Sequence, residues 1–97
     1  MKSKVIDKIS QYVEMDRESL MERGVEAFLK ERKRNLMLER HQLLSKYHIA
    51  TAAELEEKIY SGEIEEHPTW EDLITLENIE DAIHKLDGYL RDLQKTA

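Results

Sequence analysis

Leu76, Ile79, Ile83, Leu86, Leu90 and Leu93 follow one another at intervals of 3, 4, 3, 4 and 3 residues. Only an α-helix brings residues so spaced onto one line, and a line this narrow is the seam that one helix presents to another. A chain carrying this strip must supply a helical neighbour along some 25 Å, at about 1.5 Å of rise per residue. That neighbour comes from its own sequence or from a second copy.

The rest of the composition agrees. With 97 residues, 3 glycines and 1 proline, the chain reads as one helical domain, 1–97. No stretch alternates convincingly with a period of two, so no strand is expected. Cysteine is absent, which removes disulfides, thiolate chemistry and cysteine-based zinc sites. The opening MKSKVIDKIS lacks the continuous apolar segment of a signal peptide. No run approaches the roughly 18 apolar residues of a membrane span. A cytoplasmic protein without membrane contact is expected.

Four helices are expected. The first runs over about 3–14, with Ser3 as its cap and Val5, Ile6, Ile9, Tyr12 and Val13 on a broad face. Met15 and Asp16 break the chain, and Asp16 suits the cap of a long helix over about 17–46. Leu29, Leu36 and Leu43 are seven apart on this helix, with charged Arg32 and Glu39 interrupting the seam. Gly24 either permits close approach of another helix or simply weakens this one. Thr51 and Glu54 form a capping box for a short helix over about 52–61, ended by Ser61-Gly62. Pro68 disfavours helix at His67. Thr69, with Asp72 three residues on, caps a last helix over about 70–94, and Trp70 is expected to fix its start against the core. Glu80–His84, Asp81–Lys85 and Asp87–Arg91 lie four apart in the favourable order, marking a solvated face.

The expected fold is therefore all-α: two long amphipathic helices in an antiparallel hairpin, two short ones, and pairing of hairpins into a helical-bundle oligomer, a homodimer in preference. Charge favours such pairing. Residues 1–50 carry 11 Lys and Arg against 8 Asp and Glu, and residues 51–97 carry 4 against 13. Oppositely charged halves attract, within one chain or between copies.

Motifs for chemistry are lacking. The histidines His41, His48, His67 and His84 have no helical metal-ligand spacing. Glu65, Glu66 and His67 gather near Trp70, but capping and helix-dipole effects account for the neighbouring Glu71 and Asp72. No cofactor, metal or catalytic residue is expected. Lys30, Arg32, Lys33 and Arg34 form the densest basic segment and are the candidate nucleic-acid contact, although no aromatic residue is interleaved as a stacking platform. The candidate oligomer or partner interface is Leu29, Leu36, Leu43, Trp70 and the strip from Leu76 to Leu93.

Two stretches carry a resemblance. EMDRESLMERGVEAFLKERKR, through Arg17, Ser19, Leu20, Val25, Ala27, Phe28 and Leu29, resembles the second-helix region of ribbon-helix-helix antitoxins. The later stretch resembles small archaeal and bacterial proteins described as uncharacterised or antitoxin-like, through Tyr47, Glu54-Leu55, Gly62, His67-Pro68, Trp70-Glu71-Asp72 and Leu76-Glu77. The resemblance implies a regulator whose acidic helical tail masks a toxin partner. It also implies operator binding by an N-terminal strand, but residues 3–13 read as a helix and too little chain precedes them for that strand.

The residues thus point to a non-enzymatic protein-interaction and oligomerisation module. The alternative is the antitoxin-like regulator touching nucleic acid through Lys30–Arg34.

Overall fold

A computed structural model describes residues 3–96; residues 1, 2 and 97, which the single-domain reading includes, lie outside the described range. The chain is all-α, in the order α1 (Ser3–Val13), α2 (Arg17–Tyr47), α3 (Ala52–Tyr60) and α4 (Glu66–Thr96).

Local chemistry sets each boundary. Ser3 is the first residue of α1, and its hydroxyl accepts a hydrogen bond from Arg17 at 3.3 Å. Glu14 takes φ 57°, a left-handed conformation that turns the chain out of α1. The Ser10 hydroxyl closes the turn by bonding the Met15 carbonyl. Asp16 then caps α2, its carboxylate accepting from the Ser19 N–H at 3.2 Å. At the far end His48 is left-handed at φ 54°. The His48 N–H bonds the Ser45 carbonyl and the Ile49 N–H bonds the Leu44 carbonyl. This is the Schellman arrangement, with histidine where glycine is usual. Thr51 caps α3 through the Glu54 N–H at 3.2 Å, and the Glu54 carboxylate reaches back to the Ala50 N–H at 2.9 Å. Gly62, at φ 79°, turns the chain so that the Ile64 N–H meets the Lys58 carbonyl at 3.3 Å.

α4 is bent at its start. His67, forced out of helical geometry ahead of Pro68, sits at φ −111° and ψ 127°, and the peptide bond between them is cis. Two expectations fail here. Trp70 is 38% exposed and lies outside the core cluster; the buried residue beside it is Thr69. Asp72 is no local cap either, because its carboxylate is taken by the side chains of Lys46 and Tyr47 from α2.

The core lies where α2 ends, α3 crosses and α4 begins. Leu55, Leu73 and Leu76 are fully enclosed. Leu55, Ile59 and Leu73 form one cluster, joined by Tyr47, Ile49, Ala52 and Ile64. From there α2 and α4 lie side by side. Lys46 bonds Asp72 at 2.8 Å and Lys33 bonds Asp87 at 2.6 Å. As the lysine number falls the aspartate number rises, so these stretches run in opposite directions. Asp87, expected to pair with Arg91 along its own helix, is thus engaged across the helix pair instead. The apolar strip faces this contact: Leu76 and Ile79 are buried, and Ile83, Leu86, Leu90 and Leu93 are half-buried. Cover therefore thins away from the α3 end.

Candidate interaction surface

The end opposite the core is apolar and open. In α1, Val5, Ile6, Ile9 and Val13 fall on one side of the helix, yet none of its residues is buried. α2 meets it with Leu20, Met21, Gly24, Val25 and Phe28. Together Ile6, Ile9 and these five line a groove of about 430 Å³. Gly24 floors it with open space, since a Cβ there would meet nothing within 4 Å. Close approach of another helix within this chain is therefore not what Gly24 serves. Phe28 stands 67% exposed.

Val25 continues this surface to the other flank of α2. It also lines a groove of about 420 Å³ with Leu29, Tyr89, Asp92 and Leu93. One apolar face therefore spans α1, α2 and the end of α4. Sequence reasoning named its α1 part, Leu29 and Leu93, but did not join them through Met21, Val25 and Phe28 into one surface. The available signal was the stripe Met21, Val25 and Phe28, spaced 4 and 3, which lies beside the Leu29, Leu36 and Leu43 seam and ends at the polar Arg32 and Asn35.

The residues expected to form an interface are placed unevenly. Leu36, Leu76 and Ile79 are buried within the single chain, while Leu29, Leu43, Ile83, Leu86, Leu90 and Leu93 are half-buried. The strip is thus first an internal seam.

The basic segment is largely engaged with acids. Lys30 pairs with Glu26 at 2.8 Å, Arg34 with Glu31 at 2.8 Å, and Lys33 with Asp87. Arg34 holds the Glu31 carboxyl below its usual range, and Lys30 does the same to Glu26. Among Lys30, Arg32, Lys33 and Arg34, three are therefore part-neutralised. Lys30, Lys33 and Arg34 rim a groove that also exposes Met37 and Leu38.

Polar groups converge in two places. Lys33, Arg40, Glu80, His84 and Asp87 surround a groove of about 320 Å³, where one Glu80 carboxylate oxygen is shielded from water without a hydrogen-bond partner. At the core end, Tyr47 donates its hydroxyl to Asp72, Lys46 donates to the same oxygen, and the Thr69 side chain hydrogen-bonds Tyr47. Lys46 and Tyr47 hold the Asp72 carboxyl below its ordinary range. Burial, followed by the facing carboxylate, raises Tyr47. These groups tie α2 to α4. The four histidines are all exposed and dispersed. Among the described residues no group of three or more His, Cys, Asp or Glu converges as a metal site. None of the described helices is long and apolar enough to cross a membrane.

These features describe a small, all-helical domain, consistent with a protein-interaction module. The chain belongs to the Uncharacterized protein MJ0235 family, whose profile matches residues 1–97. No curated protein and no solved structure matches it. The family assignment corrects the resemblance to ribbon-helix-helix antitoxins. The match covers the whole chain, and among the described residues there is no strand to form the ribbon. The shared stretch reflects an amphipathic helix with a charged tail, a pattern that unrelated helices reach independently. The toxin partner and operator contact implied by that resemblance lose its support.

Proposed function

We infer that the chain is a non-enzymatic, self-associating helical interaction module, with a homodimer as its simplest assembly. The observation that carries this reading is its surface. The chain exposes 7604 Å², whereas a compact monomer of 11.5 kDa exposes roughly 5,800 Å². The excess, about 1,800 Å², exceeds the roughly 800 Å² that each partner contributes to a stable interface. Apolar side chains are prominent within it, including Phe28, Tyr12, Tyr89 and Met21. In this reading Leu36, Leu76 and Ile79 serve the protomer's own helix pair. Half-buried Leu29, Leu90 and Leu93 complete their cover in the assembly, as in a coiled-coil-like bundle.

Sedimentation equilibrium over low-micromolar to high-micromolar protein tests it. The expected result is a mass rising from that of one chain to at least twice that value. A single-chain mass throughout would remove the reading.

A further inference from the structure

We propose that the open apolar end, formed by α1, the start of α2 and the end of α4, is where a second copy of this chain docks, like face against like face. This rests on the self-association reading and adds the surface that carries it.

The first argument is α1 itself. It has 11 residues and buries none of them. Helices this short are marginal in water without tertiary cover. Val5, Ile9 and Val13 remain 48%, 43% and 42% exposed, so the chain's own α2 covers the face only in part. The second argument is continuity. Val25 belongs to the grooves on both flanks of α2, which joins α1 to Tyr89 of α4 in one apolar area.

Charge selects the occupant. The elements that form this end carry exposed charges of both signs, Lys4, Asp7 and Lys8 in α1 and Glu18 and Arg23 in α2, and Asp92 lines the groove beside α4. A polyanion or an anionic membrane favours a rim of one positive sign. A copy related by a two-fold axis can set opposite signs against each other when both are present. The other apolar groove of α2, beside Met37 and Leu38, has the cationic rim Lys30, Lys33 and Arg34.

The test uses the full chain, with hydrogen exchange and sedimentation on the wild type, Phe28→Glu and Met37→Glu. Both side chains are more than half exposed, so either carboxylate is tolerated by the separate protomer. The wild type should self-associate, and exchange protection of residues 3–13 should rise with protein concentration. Phe28→Glu should weaken association at least about thirtyfold and abolish that rise, with helical content kept. Met37→Glu should leave both unchanged. Wild-type association in Phe28→Glu, or α1 protection independent of concentration, overturns the proposal. Dissociation by Met37→Glu alone also overturns it while leaving self-association intact. A monomeric wild type whose α1 is protected only by anionic phosphatidylserine vesicles would refute both readings.

Discussion

Asp72 joins two helices through one carboxylate. It accepts from Tyr47 and Lys46, 25 and 26 residues away in the chain, and lies at the edge of the core. Lys46 also sits 5.3 Å from the Tyr47 ring centroid, within reach of a cation–π contact. The protonation states follow from the geometry. The Asp72 carboxyl is held below its ordinary value of 3.8, chiefly by the Lys46 and Tyr47 hydrogen bonds, so its contribution is present above that pH and is lost as pH falls through the lowered value. Tyr47 is raised above 10.0 and Lys46 above 10.5, so their contributions hold below those values and are lost as pH rises through the raised ones. Asp72→Asn is expected to cost about 1 kcal/mol near neutrality, because the hydrogen bonds survive in weaker form and the lysine is solvated. Thermal denaturation should show a drop of about 5 °C in Tm at pH 7. The difference from wild type should shrink as pH falls below the Asp72 pKa. A difference that persists undiminished at that acidity would show that packing, not charge, is lost.

At the scale of elements, the two ends of the helix pair differ in how much apolar surface they enclose. Leu76 is 0% exposed, and Leu93, one face and several turns later, is only half-buried. Leu76→Ala should therefore cost about 2–5 kcal/mol, through lost transfer energy and a residual cavity. Leu93→Ala should cost less than about 1 kcal/mol in the separate protomer. Urea unfolding below the association range measures both, and equal losses would contradict the gradient of burial. Much of this arrangement was legible. The strip from Leu76 to Leu93 was readable because helical period and burial coincide there, and Thr51 with Glu54 because capping is local. Trp70 and Asp72 were misread because their surroundings are settled by distant residues. Spacing placed both near a helix start but could not reveal that Tyr47 would claim Asp72. Likewise α1 was legible as amphipathic, but periodicity cannot say whether an apolar face finds cover within the same chain.

For the molecule as a whole, shape decides the argument. The chain extends 61 × 25 × 18 Å with a radius of gyration of 19.5 Å, against about 13 Å for a compact domain of this length. Its fully enclosed residues, Leu55, Leu73 and Leu76, lie toward the α3 end, and the opposite end presents Phe28, Tyr12 and the α1 face to water. Such a rod has too little interior to hide its apolar residues, and a second copy supplies what is missing. Small-angle X-ray scattering over a dilution series tests this most directly. Concentration-normalised forward scattering should double from the most dilute to the most concentrated sample, with the radius of gyration moving away from 19.5 Å as the assembly forms. A mass of 11.5 kDa and an unchanged radius at every concentration would contradict it.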